Sequence, residues 1–117
     1  MVELALVLPL LVMLLVGIMN FGIVLNRQVS IQSAAREGAR ALALGESTGA
    51  AQQAVVDAAP SVQNLTFGPV IPCPADSNAT STQYASITVH ARYAFSLPFV
   101  HDFDMDLTAT ARMRCGL

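Results

Sequence analysis

The chain contains no lysine and carries little charge of either sign. Six basic and eight acidic residues make up 12% of its 117 positions, against about 25% in an average soluble protein. A net charge of -2 leaves no basic excess to hold phosphates, so nucleic-acid binding is not expected. Charge this sparse, beside 54% hydrophobic residues, also excludes a disordered tail and a heavily solvated enzyme surface. Cysteine is scarce too. Cys73 and Cys115 are too few for a disulfide framework and lack the paired C-x-x-C spacing of a structural zinc site. One disulfide or two free thiols both fit.

What is abundant is apolar and lies at one end. Leu4 to Leu25 are 22 residues without a charge, with Asn20 the only strongly polar side chain among them. As a helix rising 1.5 Å per residue, such a run crosses about 30 Å of hydrocarbon. Each Leu, Val, Ile or Phe favours insertion by roughly 0.3 to 0.6 kcal/mol, so more than a dozen of them outweigh Asn20 and the glycines. A secretory signal peptide has a shorter apolar region, a basic lead and a small-residue cleavage site. Here the leading charge is the acid Glu3, and no cleavage site precedes Arg27. The expected organisation is an apolar transmembrane or filament-core helix over 1–25, its continuation over 26–44, and a small exported α+β domain over 45–117.

Within the run, Pro9 removes a backbone donor and Gly17 and Gly22 thin the helix, so these are points for bending or local melting. Both residue types are also ordinary in membrane helices. Glu3 needs a partner, because an unpaired carboxylate carried to mid-membrane costs about 2.5 to 3.5 kcal/mol. The nearest cation is the α-amino group of Met1, its own or that of a neighbouring copy. At 4 Å and an effective dielectric near 20 the attraction is roughly 4 kcal/mol before desolvation. The alternative is a Glu3 solvated among lipid headgroups.

Arg27, Arg36 and Arg40 all follow the run, and the positive-inside rule applied to this chain alone places the carboxyl-terminal part in the cytoplasm. Both cysteines would then stay reduced. A basic leader removed from in front of Met1 resolves the conflict, so the expectation is that the numbering begins at a processed end.

Asn26 to Leu44 continue as helix formers without proline, and Gly45 stands where a helix stops. Val29, Ala34, Ala35, Gly38, Ala39, Ala41 and Leu42 give a mainly small-residue surface, with Arg36 and Arg40 on another side and Glu37 in reach of Arg40. That surface suits the seat of a small domain and a subunit contact equally well.

The run Val2-Glu3-Leu4-Ala5-Leu6-Val7-Leu8-Pro9-Leu10-Leu11, then Gly17, Phe21-Gly22 and Ala34-Ala35-Arg36-Glu37-Gly38-Ala39-Arg40, resembles the TadE-like family of tight-adherence pilus proteins. The resemblance covers about the first 44 residues. It implies a pilin-like fold: a long amino-terminal transmembrane α-helix followed by a small antiparallel β-sheet domain. It also implies a prepilin cleaved by a prepilin peptidase, held in the cytoplasmic membrane, and extracted by the pilus assembly machinery into a helical filament of its own copies at the cell surface. Glu3 then matches the acidic residue near a mature pilin amino terminus that pairs with a neighbour's amine. It stands third here, whereas pilins usually carry it fifth, and Leu4 replaces the aromatic that often follows it.

In the remaining 73 residues, a size at which one core supplies only a few kcal/mol, Ser47 or Thr48 caps a short helix through about Ala59. Ala51, Ala54, Val55 and Ala58 point inward, and Pro60 ends it. Leu65-Thr66-Phe67 reads as a strand. Ile87, Val89, Ala91, Tyr93 and Phe95 alternate with polar residues, as do Phe103, Met105, Leu107, Ala109, Ala111 and Met113. Two half-buried strands are expected, turning between Ser96 and His101 and pairing antiparallel against the long helix. Pro72-Cys73-Pro74 opens a polar loop through Gln83. Paired cysteines would close a loop of about 40 residues and restrict the unfolded chain by roughly 4 kcal/mol; two buried thiols are the other reading.

Nothing points to catalysis, a metal or a cofactor. Asp102, Asp104 and Asp106 lack the loop glycine and terminal glutamate of an EF-hand and fit a solvated strand face. His90 and His101 form no constellation with the cysteines, and no Ser-His-Asp or Cys-His arrangement stands out. Asn64 and Asn78 match the N-x-[ST] pattern, Asn78 in the better setting. The expected function is a structural, non-enzymatic filament subunit. A membrane-retained minor pseudopilin or assembly factor, or a single-span anchor for a binding domain, are the alternatives.

Overall fold

The computed structural model describes residues 1–74, 83–95 and 103–115. One helix dominates. Helix α1, Val2–Ala43, runs unbroken through Pro9, Gly17 and Gly22, and its 42 residues give an axis of about 63 Å. It accounts for most of the 76 Å length of a molecule only 22 by 18 Å across.

The helix ends where the sequence places its stop. Gly45 takes φ +88°, a left-handed conformation that glycine adopts without a Cβ clash. The Gly45 amide donates to the Leu42 carbonyl and the Glu46 amide to the Ala41 carbonyl, both at 3.1 Å, the paired bonds of a Schellman turn. Two residues later Ser47 caps helix α2, Thr48–Ala58, its side-chain oxygen accepting from the Ala50 amide at 3.2 Å. Turn and cap together fold α2 back onto α1.

Strands β1 (Leu65–Ile71), β2 (Tyr84–Phe95) and β3 (Phe103–Arg114) form an antiparallel sheet in the order β1-β2-β3. The β2–β3 register is unbroken from Tyr84 opposite Arg114 to Phe95 opposite Phe103. β1 slips register between Phe67 and Val70, around Gly68-Pro69. A Cβ on Gly68 would lie 2.9 Å from the His90 ring, so the bulge needs glycine for its close approach.

The core lies between the carboxyl-terminal half of α1 and the sheet. Ile31, Ala34, Ala35, Ala39 and Leu42 of α1 meet Ala85, Ile87 and Val89 of β2 and Leu107, Ala109 and Ala111 of β3, with Ala51 and Val55 of α2 closing one side. Small side chains set this geometry by letting the backbones approach closely. At Gly38 a Cβ would come within 2.5 Å of Val55 Cγ2 and 3.2 Å of Ile87 Cδ1. The opposite face of the sheet is polar, carrying cross-strand pairs Thr88–Thr110 at 3.2 Å and His90–Thr108 at 3.0 Å. Beside them Arg92 and Asp106 form an ion pair at 3.4 Å, mostly in solvent and therefore worth little.

Four expectations are corrected. Val29 is 67% exposed, while Ile31, absent from the expected face, is fully buried. Two residues are about 200° apart around a helix, so the two cannot share a side. Ala58 is exposed and Ala59, the helix cap, is buried in its place. Phe103 and Met105 have the inward parity of β3 yet remain 51% and 43% exposed, because they run past the core. Among the described residues no ion pair joins Glu37 to Arg40. The expected turn from Ser96 to His101, Asp102, the Asn78 acceptor and most of the loop after Pro74 lie outside the described residues.

Candidate assembly surface

The first half of α1 stands clear of everything else. Val24 is the first buried residue of the chain, and large apolar side chains from Val2 to Ile23 are exposed around the helix. This helix is long and apolar enough to cross a membrane. Asn20, the polar exception, turns back on its own helix and donates its amide to the Val16 carbonyl at 2.9 Å. An apolar surface this continuous exceeds what a soluble monomer exposes, and marks contact with lipid or protein.

The five residues singled out for assembly are strung along this surface. Met1 caps α1 and is fully exposed, and its carbonyl accepts from the Ala5 amide at 3.3 Å. Glu3 lies in the first turn, where a carboxylate complements the positive end of the helix dipole. Among the described residues Glu3 has no ion pair, so the Met1 amine of the same chain is not its partner. Pro9 lies inside the helix without interrupting it. A Cβ built on Gly17 or on Gly22 meets nothing within 4 Å, so neither glycine is required by packing within the chain.

The head is tied to the helix by contacts the sequence reading missed. Gln28 and Gln32, one turn apart, donate their side-chain amides to the Thr108 and Thr110 carbonyls of β3, at 3.0 and 3.3 Å. These carbonyls face away from β2, on the open edge of the sheet, so the two glutamines cover part of that edge. Arg27 places its guanidinium 5.0 Å from the Tyr93 ring centre and bonds the Ser61 carbonyl at 3.5 Å. The i, i+4 glutamines directly after the apolar run were the available signal.

A disulfide joins Cys73, just past β1, to Cys115, just past β3, with Cα atoms 5.8 Å apart. It bridges the two outer strands at the end of the sheet where the Cys115 amide also donates to the Gln83 carbonyl at 2.9 Å. Among the described residues there is no group of three or more His, Cys, Asp or Glu placed to hold a metal ion. Asp104 and Asp106 are exposed on the polar face. At the other end of the sheet, Gly17, Asn20, Phe21 and Val24 of α1 and Phe103, Asp104 and Met105 of β3 line an open, mainly apolar cleft of about 560 Å³.

An exposed apolar helix continuing as the spine of a small α+β head is the pilin-like class of architecture. Residues 1–40, about a third of the chain, match the family described as TadE-like protein, the same stretch that carries the resemblance noted in the sequence. No curated protein and no solved structure matches the chain.

Proposed function

We propose that this protein is a structural subunit of a Tad-type pilus, held in the cytoplasmic membrane by the first half of α1 and assembled through that same surface into a surface filament. The observation that carries the reading is the uncovered helix: no residue before Val24 is buried by the rest of the chain. In water, exposure of so many large apolar side chains, at about 1.5 to 3 kcal/mol each, is untenable. Lipid first and sister helices later remove that cost, because both are equally dry.

Glu3 acts in alignment in this reading. With its own Met1 amine unengaged, the amine of a neighbouring copy is the cation that brings successive helices into register. The head, closed by its disulfide, faces outward, which requires an oxidising compartment for Cys73 and Cys115. Prepilin peptidase and the assembly machinery are the partners before assembly.

Glu3→Ala is the direct test. Membrane insertion of the variant is expected to be unchanged, whereas the yield of sheared surface filaments falls several-fold. Normal filaments from Glu3→Ala would remove the alignment role. Insertion without filaments in the unsubstituted protein, in cells whose pili lack this chain, would favour the membrane-retained minor subunit.

A further inference from the structure

We propose that the start of β3, at Phe103 and Met105, dips into the lipid leaflet on the head side of the membrane, with acyl chains filling the cleft between it and α1. The proposal rests on the membrane reading of the helix. Its evidence is separate.

The first observation is a mismatch between side and cover. Leu107, Ala109 and Ala111 are buried against α1, and Phe103 and Met105 continue the same face of the strand with about half of each side chain uncovered. They have the composition of a core, and the described residues leave them half uncovered.

The second is their level along the helix. Phe103 and Met105 line the same cleft as Gly17, Asn20, Phe21 and Val24, which lie inside the uncharged run. Phe21, itself 64% exposed, precedes Arg27, the first charge after that run, by six residues, or about 9 Å along the axis. Whatever medium surrounds the helix at Phe21 also surrounds the strand end beside it.

The third is a gradient of polarity along the hairpin. Tyr93 is the cross-strand partner of Met105, and Arg27 stacks on its ring. A tyrosine with an arginine, level with Met105 at the margin of the apolar patch, is the composition favoured where hydrocarbon gives way to headgroups.

Charge selects lipid over a second copy as the occupant. Asp104 is exposed at the rim of the cleft. A neighbouring helix seated there through its Leu4 to Leu25 run brings no cation to that carboxylate. The headgroup layer supplies water and cationic groups while its acyl chains fill the cleft. The same carboxylate limits the depth, since a charge is costly at the bilayer centre. The contact is therefore shallow.

The chain contains no tryptophan, so each introduced one is a sole reporter. Full-length Phe103→Trp and Met105→Trp variants, one chain per lipid nanodisc, are compared with Leu14→Trp in the apolar run and Val56→Trp on α2. About half of each strand position is uncovered, which leaves open space for the larger ring. Blue-shifted emission from both strand reporters is expected, with quenching several-fold stronger by lipids brominated near the carbonyl end of the chain than near the methyl end. Val56→Trp is expected to be quenched by iodide and not by brominated lipid. Water-like emission and iodide quenching at Phe103→Trp and Met105→Trp, with Leu14→Trp still quenched by brominated lipid, overturns the dip and leaves the membrane reading standing. Loss of bromolipid quenching at Leu14→Trp as well overturns both. A blue shift that appears only when several chains share a disc, without bromolipid quenching, assigns the cleft to a second copy and overturns the lipid proposal.

Discussion

Gly38 shows how little room single residues have in this head. Its missing side chain is what lets α1 lie against Val55 and Ile87, both fully buried. Val55 is β-branched and stiff, so it cannot swing away. Gly38→Val is expected to destabilise the head by about 1 to 3 kcal/mol through overpacking, read as a lower denaturation midpoint with an unchanged slope. Gly38→Ala is expected to cost less, because alanine recovers up to about 1 kcal/mol of helix propensity. At this scale the sequence was legible in part. The helix stop at Gly45 and the Ser47 cap are local chemistry and could be read directly. The choice of Val29 over Ile31 failed because small residues occur on more than one side of α1, and only the sheet decides which side is covered.

The strands were legible as elements because alternation has a period of exactly two residues only in extended chain. Both long strands appear with the expected sides facing α1 from Ala85 to Ala91 and from Leu107 to Ala111. Periodicity assigns a side without saying what covers it, which is why Phe103 and Met105 were expected inside. The edge of β3 was not legible at all, since its protection comes from Gln28 and Gln32, about 80 residues earlier in the chain. Replacing both by alanine is expected to cost about 1 to 3 kcal/mol in head stability, and to raise self-association of the detergent-solubilised chain through the freed strand edge. Light scattering and denaturant titration of the same sample read both effects. The disulfide between β1 and β3 spans 42 residues of sequence. In the chain-entropy model its closure is worth about 4 kcal/mol, and Cys73→Ala is expected to lose stability on that scale. Non-reducing mass spectrometry of exported protein is expected to show the Cys73–Cys115 link; free thiols there would contradict an oxidised head.

The molecule as a whole divides its two kinds of apolar surface along one helix. The second half of α1 is covered by its own head, and the first half is left for the surroundings. This division was the most legible feature of all, because 22 uncharged residues need no tertiary context to be recognised. What the sequence could not supply was the length of helix the head would cover, which depends on where β2 and β3 dock.

The central claim is that the first half of α1 exchanges lipid for sister helices. Its most direct test is a Leu14→Cys chain, in which the added thiol is the only free one beside the Cys73–Cys115 link. In isolated membranes the thiol should react with a lipid-soluble maleimide and resist a water-soluble one. In sheared filaments a short bifunctional maleimide should link chains into a ladder of multimers. Labelling by the water-soluble reagent in membranes, together with only monomers from treated filaments, would contradict the account.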